Sequence, residues 1–283
     1  MTPDNLAAKV DTLISKTEKA LAKQATATQV ELFDQMSVML NGLSLKDGLI
    51  IQNQANRAIL AQANEYFNKA MGDYYASLGA ISNTIASLTS ENAGYFSTLL
   101  DSFTPDAQYI KSLQKQTILQ AESLLANEGI ELTLKQPIVN ILNQNINTGA
   151  AYKDLLNQLR TFITGNDQVE GSLLRYSRQI TTDTLFNYNR ALQEAVSANS
   201  GLEWIKYVGG AMDTSRDFCL SRMGNYYHKT EVEKWPNQNW AGKRTGTNSS
   251  TIFIYAGGWN CRHQLIYVSE AVVPKQDVLR VSG

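Results

Sequence analysis

Two cysteines and two histidines are all the thiol and imidazole chemistry that this 283-residue chain holds. Two thiols cannot make a disulfide framework, and Met1-Thr-Pro-Asp-Asn5 opens without a basic leader or an apolar block. A reducing compartment and no export signal are therefore expected. Charge of one sign is lacking too, since 25 basic residues stand against 26 acidic. A dedicated nucleic-acid binder of this size would be markedly basic, because phosphate neutralisation dominates its affinity, so bulk DNA binding is not expected. No apolar run approaches the ~20 residues of a bilayer crossing, and no membrane contact is expected.

What is present is apolar mass and uncharged polarity. Hydrophobic residues make up 43% of the chain, enough for one or two real cores. Asn53-Gln-Ala-Asn56, Asn143-Gln-Asn-Ile-Asn147 and Thr245-Gly-Thr-Asn-Ser-Ser250 hydrogen-bond without charge, which suits interfaces with little electrostatic steering. Residues 201–283 hold ten basic against seven acidic residues, leaving fifteen against nineteen before them. That mild asymmetry allows a local DNA contact by the C-terminal part and no more.

Residues 1–200 read as helix almost throughout. Leu6, Val10, Leu13, Ile14, Thr17 and Leu21 form one apolar stripe, and Val30, Phe33, Met36 and Leu40 resume it after a break at Ala25-Thr-Ala-Thr28. Gly42 and Gly48 end that segment. Ile50 to Met71 predicts a helix with a thin apolar face, and Gly72 to Gly94 another, carrying Tyr74, Leu78, Ile81, Ile85 and Leu88. Thr104-Pro-Asp106 is a restart signal, an N-cap hydroxyl followed by proline at the first helical position. The helix after it carries Tyr109, Ile110, Leu113, Leu124 and Leu125 and closes at Asn127-Glu-Gly129. Pro137 starts the next; then Leu155, Leu159 and Phe162 face inward on a helix stopped by Gly165-Asn-Asp167. The longest periodic stretch runs through Leu173, Tyr176, Ile180, Thr184, Tyr188, Leu192 and Val196 to Ser200-Gly201.

Beyond residue 201 the period shifts toward two. Trp204-Ile-Lys-Tyr-Val208, Thr251-Ile-Phe-Ile-Tyr255 and His263-Gln-Leu-Ile-Tyr-Val268 predict short strands, with turns at Gly209-Gly210, Met223-Gly-Asn225 and Gly257-Gly258. The expected class is α+β, with a mainly helical N-terminal two-thirds and a small C-terminal module of short strands. Three regions follow: a helical arm over 1–100, a helical part over 101–200 and the module over 201–283. All four tryptophans, Trp204, Trp235, Trp240 and Trp259, fall in that module and predict a compact aromatic core rather than a ligand platform.

Both cysteines and both histidines also fall there, at Cys219, His228, Cys261 and His263, within Asp213-Thr-Ser-Arg-Asp-Phe-Cys219 and Gly257-Gly-Trp-Asn-Cys-Arg-His263. Cys261 and His263 are two apart, so on a strand they would share a face, and Cys219 with His228 could close a tetrahedron around a metal from the opposite loop. Against this, structural zinc sites use tighter ligand pairs than Cys219 and His228. The leading expectation is that the cysteines pack as small apolar residues, with no cofactor, and zinc is the alternative. A Cys261-His263 or Cys261-His228 nucleophile pair has the right composition but lacks an assembled constellation, so no enzyme is expected. His228-Lys-Thr-Glu231 has the wrong interval for a zinc deaminase. Asp213, Arg216, Asp217 and Arg262 read as turn-forming residues, the first three as either a surface loop or an internal ion pair that fixes the Cys219 turn. Arg222, Lys243, Arg244 and Arg262 read as cations solvating a face, with a DNA contact as the other possibility.

The order of a long helix over Ser172–Ala198, a short strand, an Asp-x-x-x-Asp-x-Cys element at 213–219 and a Cys-Arg element at 261–262 resembles the C-terminal domain of the phage Mu protein F-like family of minor head, or head morphogenesis, proteins. With Asn147-Thr-Gly-Ala-Ala-Tyr-Lys-Asp-Leu-Leu-Asn-Gln-Leu159 as its lead-in, the resemblance covers roughly residues 100–270. Many members carry Cys-x-x-Cys at the first element and His-Pro-x-Cys-Arg-Cys at the second, which implies a four-ligand zinc site. Here Cys219 is followed by Leu-Ser-Arg222, and His263 stands where the last cysteine would be, so matching positions keep only Cys219, Cys261 and His263. The resemblance implies a virion component of a tailed phage, assembled in the host cytoplasm and placed at the capsid interior or portal vertex in several copies. Its implied partners are the portal protein, other capsid or scaffold proteins and packaged DNA, and its implied role is capsid assembly, genome packaging or ejection. The alternative is a DNA-binding or zinc-binding accessory protein ejected with the genome.

Overall fold

The computed structural model describes residues 1–100 and 106–282. It is mainly helical with short antiparallel strands, the α+β class expected. In chain order the elements are α1 (Pro3–Leu40), β1 (Leu45–Lys46), β2 (Leu49–Ile50), α2 (Gln54–Ile59), α3 (Ala63–Ser77), α4 (Gly79–Leu99), α5 (Ala107–Ala126), α6 (Glu128–Ile130) and α7 (Gln136–Thr148). There follow α8 (Tyr152–Ile163), β3 (Gly165–Asn166), β4 (Val169–Glu170), α9 (Ser172–Ser200), β5 (Trp204–Val208), α10 (Asp217–Leu220), β6 (Tyr226–His228), α11 (Lys229–Val232), α12 (Ile252–Tyr255), β7 (Gln264–Val268) and α13 (Lys275–Ser282). Among the described residues, no helix is long and apolar enough to cross a membrane.

The chain divides into two compact units, each gathered from separate stretches of sequence. One holds residues 18–80 and 119–180. Its core is Leu32, Met36, Phe67, Met71, Leu134, Leu142, Leu155 and Leu159, drawn from α1, α3, α7, α8 and the π-helical turn Glu131–Lys135. Each such side chain contributes about 1.5–3 kcal/mol on leaving water. The β1–β2 hairpin turns at Asp47-Gly48, both at positive φ (51° and 78°), the pairing that a two-residue hairpin loop demands. Buried Asn56 locks it, accepting from Ser44 N and donating to Ser44 O and Ile51 O.

The other unit holds residues 1–17, 81–118 and 181–283. At its centre β5 pairs antiparallel with β6 on one side and β7 on the other, in register Trp204 with Val268 through Val208 with Gln264. Both ends of β5 are buried, and all five residues of β7 are. The opening turns of α1 belong with this sheet: Gln264 Nε2 donates to Ala7 O at 3.1 Å, and Lys206 Nζ donates to Asp4 at 2.7 Å. Residues 1–17 and 81–100 of the N-terminal arm therefore share one unit with the C-terminal module, while residues 18–80 do not, because buried polar side chains of the sheet need partners that only those distant segments supply.

Four expectations are corrected. The break at Ala25-Thr-Ala-Thr28 is continuous helix, since Thr26 Oγ1 bonds Ala22 O and burial of Ala25 and Thr28 outweighs weak propensity. Ile50–Met71 is not one helix: β2 ends at Ile50, Asn53 caps α2, and α3 runs through Gly72 to Ser77. Thr251–Tyr255 is no strand but the helical turn α12 and its leading residue, set up by a tight turn in which Asn248 Oδ1 accepts from Ser250 N and Thr251 N and Asn248 O accepts from Ile252 N. Phe162 is half-buried, and Ile163 takes the inward place beside Leu155 and Leu159. Thr104 and Pro105 lie outside the described residues; Asp106 caps α5, its Oδ1 accepting from Gln108 N and Tyr109 N. The strands at 204–208 and 264–268 and the long helix 172–200 form as expected, α9 ending before Gly201 at φ +67°.

Candidate metal centre

Strand register places the second cysteine loop. Val208 pairs with Gln264, so the chain continues from β5 into Gly209 against His263, one residue before β7. Gly209 sits at φ +151°, and a Cβ there would lie 2.8 Å from the His263 ring, so only glycine admits the imidazole. Tyr207 stacks on that ring, centroids 5.4 Å apart at 17°. Cys261 and His263 thus precede the strand rather than lie in it, yet their side chains meet as the two-residue spacing predicts, Sγ to Nδ1 at 3.9 Å.

Cys219 comes from α10, and the turn that follows is tied to β5: Tyr207 N donates to Asn225 O and Gly224 N donates to Tyr207 O. The two sulfurs lie 4.0 Å apart, far beyond a bond of roughly 2.05 Å. Ligand atoms of Cys219, Cys261 and His263 all fall within 4.8 Å of one another, and all three residues are buried. Gly257 closes the cluster. Its N–H donates to Cys261 Sγ at 3.3 Å, and a Cβ there would lie 2.4 Å from Cys219 Sγ and 2.9 Å from Cys261 Sγ.

Charge around the sulfurs is organised by α9. Fully buried Arg190 donates from Nη2 to Cys261 O at 2.9 Å and from Nε to Phe186 O, while Asp183 Oδ1 accepts from Asn260 N at 2.8 Å. The hydrogen bond from Cys219, then His263 and Arg190, hold the Cys261 thiol well below its usual range despite burial. Cys219 is pushed up, first by the Cys261 sulfur it faces and then by burial. Burial, followed by the two neighbouring sulfurs, raises Tyr207 well above the ordinary phenol range. One sulfur of the pair is thus primed to ionise ahead of the other. His263 Nε2, Arg190 Nη1 and Asp183 Oδ2 are buried without a hydrogen-bond partner.

His228 is not brought into this group. It caps α11 by accepting from Thr230 N, its Nε2 lies 3.4 Å from Glu203, and its ring meets Trp204 edge-on. Its pairing with Trp204, at the far end of β5 from Val208, accounts for the separation. Nor do the aspartates pair with Arg216. Among the described residues no ion pair joins it to Asp213 or Asp217; its Nη2 donates to Trp259 O at 2.6 Å, tying the first cysteine loop to the second, and Asp213 and Asp217 are exposed. Arg262 reaches α1, with Nη1 3.4 Å from Ser15 Oγ and 3.9 Å from Asp11. The other three cations read as a solvated face lie over aromatic rings. Arg222 lies 3.8 Å over Phe218, Arg244 3.9 Å over Trp259, and Lys243 4.9 Å over Trp240 while donating to Pro236 O. Trp204 and Trp235 are core residues, whereas Trp259 is 41% exposed.

Tyr207, Arg190, Asp183, Gly209 and Gly257 complete the surroundings of the sulfurs, and no spacing in the sequence marks the first three. The donors suit a thiophilic ion: two thiols and one imidazole, gathered where only a glycine fits against both sulfurs. The chain matches no known family model, no curated protein and no solved structure.

Proposed function

We propose that this protein is a non-enzymatic minor head protein of a tailed bacteriophage, similar to the Mu F-like family, that binds the portal protein and acts in capsid assembly, genome packaging or ejection. One observation carries the reading. The two sequence elements on which the resemblance rests, at 213–219 and 261–262, converge, with Cys219 and Cys261 sulfurs 4.0 Å apart and the Cys261 carbonyl held by Arg190 of α9, the helix that precedes them. Burial of both sulfurs supports a structural rather than a catalytic use, since no substrate reaches them without opening the loops. Uncharged polar helix faces support docking along neighbouring proteins, with little electrostatic steering to draw in free DNA.

Truncation at Gly201 would tear one compact unit apart, so the test uses the whole chain. Full-length protein expressed with the portal protein of the same virus should elute with it as one complex in gel filtration. Independent elution of both folded proteins at micromolar concentration would overturn the proposal.

A further inference from the structure

We propose that Cys219, Cys261, His263 and the Tyr207 hydroxyl form a four-donor site for one thiophilic divalent cation, zinc, and that Tyr207 fills the corner for which this chain has no further thiol or imidazole within reach. This inference does not depend on the head-protein reading. It rests on donor chemistry and placement alone.

Donors around a tetrahedral zinc lie roughly 3.5–3.8 Å from one another, given its bond lengths to sulfur and nitrogen. The sulfurs are 4.0 Å apart, Cys261 Sγ and His263 Nδ1 are 3.9 Å apart, and the Tyr207 hydroxyl is 4.0 Å from Cys261 Sγ. Each of these three separations from Cys261 Sγ is a small contraction from that of two donors on one ion, and Cys219, Cys261 and His263 have their ligand atoms within 4.8 Å of one another. Bonding between the sulfurs would need them to halve their separation. Tyr207 points to the site for a second reason: its hydroxyl is fully buried, and its partner there is a sulfur at the outer limit of hydrogen bonding, a weak acceptor for a phenol. An ion would satisfy that oxygen.

Charge also balances. Two thiolates neutralise a divalent ion, and a neutral imidazole and phenol add nothing, so binding leaves no net charge in the core beyond Arg190 and Asp183. The four donors come from β5, α10 and the loop before β7. The ion would therefore tie together three segments that are otherwise held by Arg216, Gly224 and Gly257.

The test uses full-length protein and zinc or cobalt ions alone. Elemental analysis after dialysis should find one zinc per chain, and cobalt should give the absorption of a tetrahedral site with two thiolates. Cys219→Ser and Cys261→Ser should abolish both, while Tyr207→Phe should retain the ion with an affinity about 10–100-fold weaker and an altered cobalt spectrum. Should a serine variant fail to fold, alkylation of wild type read by mass spectrometry takes its place: zinc should protect Cys219 and Cys261 together, and a chelator should release both. No zinc in folded protein, or alkylation indifferent to zinc, would overturn the site. Tyr207→Phe with unchanged affinity and spectrum would overturn the assignment of the fourth corner.

Discussion

Arg190 Nη2 donates to the carbonyl of Cys261 across 2.9 Å, so a buried cation on the long helix α9 fixes the loop that carries the second thiol. Asp183 lies about two helical turns before Arg190 on α9; burial raises that carboxyl against the pull of Asn260 N–H, Arg244 and Arg190, and burial lowers the guanidinium against the support of the Cys261 sulfur. Helix, loop and thiol are thus coupled through one side chain, and removing it tests the coupling.

Arg190→Met should destabilise the protein by about 3 kcal/mol, because Cys261 O and Phe186 O lose their donor and Asp183 keeps a buried charge with less opposition. Arg190→Lys should recover little, since a point charge cannot serve two carbonyls in fixed directions. Urea unfolding measures both. Wild-type stability in the methionine variant would show that α9 does not hold the loop.

Gly257→Ala should cost about 1–3 kcal/mol, because the added methyl would lie 2.4 Å from one sulfur and 2.9 Å from the other. Gly210→Ala, with nothing within 4 Å of its Cβ, should stay within about 0.5 kcal/mol of wild type. Equal effects in thermal melts would mean that the sulfurs have room to move.

Asp183 sets a pH dependence. Burial raises its carboxyl above the ordinary 3.8, against the lowering by Asn260 N–H, Arg244 and Arg190. The folded state therefore holds this proton more tightly than the unfolded state, and the contribution is complete below 3.8 and lost as pH rises through the raised value. Asp183→Asn keeps an acceptor for Asn260 N–H and does not titrate. Between about pH 4 and pH 7 wild type should lose Tm relative to this variant. A difference that stays constant with pH would count against a raised carboxyl.

A chain of buried amides joins α4, α9, β7 and α1. Gln193 Nε2 donates to Asn92 Oδ1, Asn92 Nδ2 to Asn189 Oδ1, Asn189 Nδ2 to Gln264 Oε1, and Gln264 Nε2 to Ala7 O. Asn189→Ala strands a donor on one side and an acceptor on the other, and should cost about 1–3 kcal/mol in chemical denaturation. A neutral result would mean that neighbours re-pair across the gap.

Parts of the site were legible and parts were not, for identifiable reasons. The spacing of Cys261 and His263 told which way both side chains face, because alternation is a local property of extended backbone. The assignment of His228 failed because its distance from Cys219 along the chain says nothing about which end of β5 it pairs with. The register puts it at Trp204, out of reach. Thr251–Tyr255 reads as strand through its β-branched and aromatic content, whereas the turn at Asn248 that precedes it leads the chain into four helical residues. Asp47-Gly48 was readable as a hairpin turn, and treating its glycine as a helix stop hid it.

By itself the sequence determined the helical periodicity, the two well-formed strands of the C-terminal sheet and the gathering of thiols and imidazoles into one stretch, since all of these depend on residues near one another along the chain. Only the tertiary structure decided that residues 1–17 and 81–118 belong with that sheet, that Tyr207 and Arg190 attend the sulfurs, and that His228 does not. Those outcomes turn on which buried polar groups find partners across long loops, a choice made by burial and hydrogen-bond satisfaction over the whole fold.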